Sequence, residues 1–332
     1  MMGMQNKAIS LNKPYETLSP EMVLNAVESL GFVCTGNFFP LNSYENRVYD
    51  VALEGHDNVI VKFYRPFRWN KKQLLEEHLF ASQLQEHEVP VVAPLTFDGE
   101  SIFEYQGYLF CLYPKRGGRA IELKTEEDFR HMGRLIARIH TVGSWDSYQH
   151  RPSLTVQTMG WDNLTHLRQS GHIPADMMTN YDMTVSNILT QLDALWGDRE
   201  FNLRLHGDAH LGNILNDGDV FFVDLDDSVS GPAVQDLWLF VGGDRAEMAK
   251  QFGLLLEGYT QIRDFDFAEL QLVEALRTLR MIHYTAWISK RWDDKAFPRS
   301  FPFFDSVDYW NRHLMDLKEQ MSLIHEPFFA QI

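Results

Sequence analysis

The sequence predicts an α+β chain in two lobes, a β-rich N-terminal lobe over residues 1–114 and a mainly helical C-terminal lobe over residues 115–332. Three observations carry this reading. The chain has 332 residues, more than one ordinary domain of roughly 100–200 residues. Before Pro114, β-branched and aromatic residues recur near period two between turn residues. After it, the apolar spacing becomes helical. Hydrophobic residues at 45% and charged residues at 23% supply a core and exclude disorder.

In order along the chain, Pro20 to Gly31 reads as a short helix, opened by Ser19-Pro20 and closed by Gly31. Two strand-like stretches follow, from Val33 to Leu53 and from Asn58 to Pro66, with a hairpin turn at His56-Asp57-Asn58. Leu74, Leu75, Leu79, Phe80, Ala81 and Leu84 fall at helical spacing between Asn70 and His87. Short strands with Pro and Gly punctuation run from Val89 to Pro114, and Lys115-Arg116-Gly117-Gly118-Arg119 reads as a linker. Helices are expected at 126–140, 180–195, 235–240, 246–259 and 267–292. One short β insertion interrupts them, with a strand at Leu203–Leu205 and another at Val220–Val223.

Lys and Arg number 30 against 46 Asp and Glu, a net charge of −16. That excludes binding to nucleic acid or an anionic membrane through the whole surface. Both lobes are acidic, −6 for residues 1–114 and −10 for the remainder, so the charge is not a tail effect. Cys34 and Cys111 are too few for a disulfide framework or a four-cysteine zinc site, and are expected as reduced core thiols. No run of 18 apolar residues predicts a membrane span, and the first sixteen residues carry no apolar leader core. A cytoplasmic protein is expected.

The chemistry concentrates at His206-Gly207-Asp208-Ala209-His210-Leu211-Gly212-Asn213 and at Asp224, directly after four apolar residues. Phosphoryl transfer needs an Asp to orient an acceptor hydroxyl and take its proton. Its Mg²⁺ needs hard oxygens from an Asn and a second Asp. Each residue alone would pass for a turn residue; the spacing and the apolar run before Asp224 make the set specific. Lys62, the one cation in Val59–Phe63, is either a snorkelling surface residue or a phosphate ligand held by an acid. Glu76 and Glu77 are the acids available on the following helix. Glu77 shares the inward stripe of Leu74, Ala81 and Leu84 and is the one chosen. Lys62, Arg65, Arg68, Lys71 and Lys72, with no acid among them, suggest a positive rim near a polyphosphate. Asp226 and Asp227, beside Asp224, either add a metal ligand or form a solvated acidic turn, and the turn is the preferred reading. His206 and His210 stand four apart, but on a loop without a third ligand, which argues against zinc.

Together these residues resemble the protein-kinase-like fold in its aminoglycoside-phosphotransferase branch. The segments PLNSYENRVY, VKFYRP, VPVVAP, LRLHGDAHLGNIL and DLDDSVSGPAVQDLWL are similar to bacterial serine/threonine protein kinases of that branch. The resemblance implies ATP and Mg²⁺ as cofactors, Asp208 as catalytic base, and Asn213 and Asp224 as metal ligands. It further implies Lys62 on the α/β-phosphates, paired with Glu77, and Asp236 tethering the catalytic loop. A protein with a Ser/Thr acceptor, autophosphorylation and a stress-response role are implied in the same way. A small-molecule acceptor (aminoglycoside, sugar, choline or homoserine) and a nucleotide-binding scaffold without activity are the alternatives.

The chain departs from ordinary protein kinases in two places. The loop expected over the phosphates, Asn42 to Arg47, contains no glycine, so side chains such as Ser43 and Asn46 would replace backbone contacts. Gly207 stands where the fold's catalytic loop ordinarily carries an arginine that reads an activation-loop phosphate. Only ten residues run from Asp224 to Ala233. A phosphorylation-switched loop is therefore not expected.

Overall fold

The computed structural model describes residues 9–11 and 13–326. The first eight residues, half of the segment expected to carry no leader core, lie outside them. The expected α+β class is what the chain adopts: an antiparallel sheet first and helices after it. It forms two compact units, one running to Ala120 and including Ile214–Asp226, the other made of Ile121–Asn213 and the residues from Asp227 onward. Asp208 and Asn213 thus belong to one unit, and Asp224 and Asp226 to the other.

The first unit opens with α1 (Pro20–Glu28), whose N-terminus is capped by the Ser19 side chain. Its sheet contains β1 (Cys34–Leu41), β2 (Arg47–Leu53), β3 (Val59–Phe63), β4 (Phe103–Tyr105) and β5 (Tyr108–Pro114), in the order β1-β2-β3-β5-β4. Between β3 and β4 runs α2 (Lys71–Glu86), whose Asn70 and Gln73 form a reciprocal capping box. Side chains alternate across β3. Val59, Val61 and Phe63 join Val23, Ala26 and Val27 of α1 in the core, which leaves Lys62 for the opposite face. The expected linker is partly strand. Arg119–Ala120 is β6, paired with β7 (Ile214–Asn216), and β8 (Val220–Phe222) completes that small sheet. Phe222 fixes this sheet within the unit by donating its N–H to the Pro90 carbonyl and accepting from the Val92 N–H.

The second unit contains α3 (Glu126–Gly143), α4 (Asp162–Ser170, preceded by one π-helical turn), α5 (Met178–Trp196), α6 (Gln235–Trp238) and α7 (Arg245–Tyr259). After them come α8 (Val273–Ser289), α9 (Ala296–Ser300) and α10 (Val307–Leu323). α3 and α7 pack at very short range because Gly133 and Gly258 face each other's backbone. A Cβ at either position would lie about 2 Å from a carbonyl oxygen, of Leu255 or Arg130 respectively. The strand expected at Leu203–Leu205 is only a single bridge, from Arg204 to Ser230.

Candidate active site

In the first unit the chemistry gathers around Lys62. Its side chain is buried, and Nζ lies 2.7 Å from Asp224 Oδ1 and 3.6 Å from Asp226 Oδ1. β8 carries the chain to this point. Asp224 then adopts a left-handed conformation, φ +62°, which Asp tolerates better than most residues. That turn leaves the Asp224 side chain 49% exposed and Asp226 only 4%. Glu77 is buried on α2 and acts on Lys62 through space; the ion-pair partners of Lys62 within 4 Å are Asp224 and Asp226. Burial opposes the Lys62 charge, but Asp224, Asp226 and Glu77 outweigh it and hold the ammonium well above the ordinary lysine range.

The loop before β2 is braced from within. Asn46 is buried, its Nδ2 donates to Asp226 at 3.0 Å, and its Oδ1 accepts from the Arg65 N–H at 3.0 Å. Ser43 Oγ accepts from the Asn46 N–H. Both side chains, expected on the phosphates, make their hydrogen bonds within the loop and its supports instead. Arg65 turns to Glu45 at 3.0 Å, Arg68 to Asp226 at 2.5 Å, and Lys71 to Glu100 at 3.4 Å. The basic cluster of residues 62–72 is mostly used inside the unit rather than displayed as a rim. Asp226, read in the sequence as solvated, is the acid that several of these cations and Asn46 share. Cys111 lies behind this cluster, and burial pushes its thiol up to about 12, which makes it inert.

In the second unit the Asp208 loop hangs on Asp236. The buried Asp236 carboxylate accepts the backbone N–H of His206 at 2.7 Å and of Gly207 at 2.9 Å, while His140 Nε2 lies 3.2 Å away. Gly207 has φ +85°, and a Cβ there would stand 2.1 Å from the Asp227 carbonyl oxygen. An arginine is thus excluded at this position on steric grounds. Asp208 is partly exposed. Its Oδ1 lies 2.9 Å from Arg280 Nη1 and its Oδ2 3.3 Å from His210 Nε2. The Gly212 N–H donates to His210 Nδ1, which leaves the proton on Nε2, facing Asp208. Burial opposes the Asp208 charge, yet the His210 hydrogen bond and Arg280 hold its carboxyl well below the usual range.

Asn213 Nδ2 donates to the Asp208 backbone carbonyl at 3.0 Å, which leaves its amide oxygen as a hard donor. In the other unit, the half-exposed Asp224 carboxylate is likewise a hard oxygen donor; oxygens of this kind suit Mg²⁺, an ion that takes few protein ligands. Among the described residues, no three or more His, Cys, Asp or Glu converge on a metal, His206 and His210 included.

A family model, the phosphotransferase enzyme family, matches residues 39–273. The chain belongs to that family. This phosphotransferase is 38% identical over 313 residues to a protein of Salmonella typhimurium named serine/threonine protein kinase RdoA, covering 94% of this chain and 95% of the relative. It is 39% identical over the same span to stress response kinase A of Escherichia coli, with the same coverage. Among solved structures, an amicoumacin kinase in complex with AMP-PNP, Ca²⁺ and Ami matches with TM-score 0.69 at 20% identity, over 93% of this chain and 95% of that one. A microcompartment-associated aminopropanol kinase matches with TM-score 0.64 at 17% identity, over 91% and 96%. The chain is a kinase-type phosphotransferase by family, and it shares the fold of these solved structures.

Sequence reasoning missed Arg280 and the role of Asp226. Arg280 lies 72 residues after Asp208, and nothing local marks it. Asp226 follows Asp224 by two residues, and its burial comes with the left-handed turn at Asp224, which the sequence does not mark.

Proposed function

We propose that this phosphotransferase uses ATP with Mg²⁺ to phosphorylate serine or threonine hydroxyls of a protein, itself included, in the cytoplasm and as part of a stress response. The observation that carries the protein acceptor is near-full-length similarity, at 38–39% identity, to proteins named as a serine/threonine protein kinase and as stress response kinases. Mg²⁺·ATP, when bound, supplies the transferable phosphoryl group and the charge that neutralises it. Lys62, kept protonated by its acids, orients the α- and β-phosphates, with Glu77 adding negative charge behind it. Asp224 and Asn213 offer their oxygens to the metal. Asp208, ionised at neutral pH, orients the acceptor hydroxyl and takes its proton as the bond to phosphorus forms.

A small-molecule acceptor is the second reading, favoured by the fold match to kinases of amicoumacin and aminopropanol. The test is transfer from γ-labelled ATP by the purified chain, to itself, to a general protein substrate and to small alcohols. Protein labelling is expected. Asp208→Asn should lower it by roughly 10²–10⁴-fold while the melting temperature holds within a few degrees. Labelling of small alcohols alone overturns the protein acceptor, and a fully active variant overturns the role of Asp208.

A further inference from the structure

Beside Asp208 stands a cation that phosphoryl transfer does not itself require. Arg280 projects from α8 with Nη1 2.9 Å from Asp208 Oδ1, while Oδ2 faces His210 and Asn213. Oδ2 thus meets donors, whereas the buried Oδ1 has no hydrogen-bond partner and is held by Arg280 as an ion pair. Arg280 nevertheless keeps 41% of its side chain exposed, and Asp208 is the acid it pairs with among the described residues. Its guanidinium carries five N–H donors in a planar fork, and one nitrogen facing Asp208 leaves the others for an incoming group. Arg277, one turn earlier on the same helix, is used differently. It sits 3.8 Å from the buried Glu274 and over the Trp238 ring. In a chain of net charge −16, an accessible cation beside the acceptor's base runs against the overall trend.

We propose that Arg280 selects the acceptor: it binds a carboxylate or phosphate carried one or two residues from the reacting hydroxyl, so that acidic peptides are preferred and ammonium-bearing alcohols are rejected. The inference rests on the reading of Asp208 as the acceptor's base. An anion that takes up the fork gains charge-assisted, bidentate bonds and releases Asp208 Oδ1 to the hydroxyl. An ammonium brought to the same place meets like charge. Extended peptide rises about 3.3 Å per residue, so a side chain one or two positions along reaches the guanidinium while the serine stays on Asp208.

The test compares kcat/KM of the full chain for three serine peptides whose two following residues are both Asp, both Asn or both Lys, together with choline. The wild type should favour the Asp peptide over the Asn peptide on the order of ten- to a hundredfold, the worth of a charge-assisted hydrogen bond. The Lys peptide and choline should be poorer still. In Arg280→Met the Asp-to-Asn ratio should fall to near one, and Arg280→Lys should keep part of it. A ratio taken within one enzyme cancels any change in Asp208 itself, and melting curves check that each variant is folded. A wild type that prefers the Lys peptide or choline, or an Arg280→Met ratio equal to the wild type's, overturns the selection and leaves phosphotransfer standing. A wild type that phosphorylates no hydroxyl of any kind overturns the reading of Asp208, and this inference with it.

Discussion

Each compact unit pairs a partly exposed aspartate with a sealed one. In the first unit these are Asp224 and Asp226; in the second they are Asp208, 22% exposed, and Asp236, fully buried. The sealed members brace their surroundings by different means. Asp226 receives side chains, from Lys62, Arg68 and Asn46. Asp236 receives two backbone N–H groups and His140. The first arrangement depends on charge, because two of the three partners are cations in a poorly solvated place. The second depends on having two oxygens, because it must satisfy two main-chain donors. A loop held by its main chain keeps its shape whatever the charge around it, whereas the cluster around Lys62 sets charge and shape together.

That contrast is most exposed at Asp226. Asp226→Ala leaves Arg68 and Lys62 short of a counter-charge and should cost about 3–5 kcal/mol of stability. Asp226→Asn keeps size and an acceptor but not the charge, and should cost nearly as much. Urea unfolding of the two variants decides the point. An Asn variant within about 1 kcal/mol of wild type, a typical neutral hydrogen bond, would show that the cluster is held by hydrogen bonding rather than by charge.

A wider gap between the two variants is expected at Asp236. Asn retains one acceptor oxygen of two, so Asp236→Asn should cost about 1–3 kcal/mol and Asp236→Ala clearly more. The loss should be local as well. Amide exchange at His206 and Gly207 should quicken, and kcat should fall as the Asp208 loop loosens. Unchanged protection of those two amides in the Ala variant would mean that the loop is held by something other than Asp236.

The same contrast explains what could be read in advance. Asp208, Asn213 and Asp224 stand in one short segment, and spacing alone grouped them. Lys62 and Glu77 were legible because period-two and period-3.6 patterns put one on a strand face and the other on an inward stripe. Arg280 was not, since its partner is remote in sequence and a cation on a helix ordinarily faces water. The basic run at residues 62–72 misled for a related reason. Composition counts charges, but Glu45, Asp226 and Glu100, which neutralise them, come from elsewhere in the chain. Helix α10 escaped because its buried stripe includes His313 and Gln320 beside Trp310, Leu314 and Leu317, which blurs the apolar period. The strand expected at Leu203–Leu205 failed because this Leu-Arg-Leu segment finds a single bridge partner, Ser230 opposite Arg204, rather than a ladder.

A third acid tests the comparison by pH. Glu269, in the 3₁₀ turn Phe267–Leu272, accepts the N–H of Val234 just before α6, the helix that carries Asp236. Burial pushes its carboxyl up to about 7. The native state therefore binds this proton more tightly than the unfolded chain does. The associated stability is complete below the ordinary carboxylate range and is lost as pH rises through about 7. Asp208 has the opposite sign: its carboxyl is depressed, so its contribution is present at neutral pH and lost only as the solution becomes strongly acid. Partial exposure of Glu269 limits its effect to about 1–2 kcal/mol. Melting temperatures of wild type and Glu269→Gln measured from pH 5 to pH 8 should converge at one end only. The wild type should lose stability relative to the variant as pH rises, because Gln carries no proton to release. Parallel curves across that range would show that Glu269 is already ionised at pH 5, held like Asp236 as a hydrogen-bond acceptor rather than stored as a neutral acid.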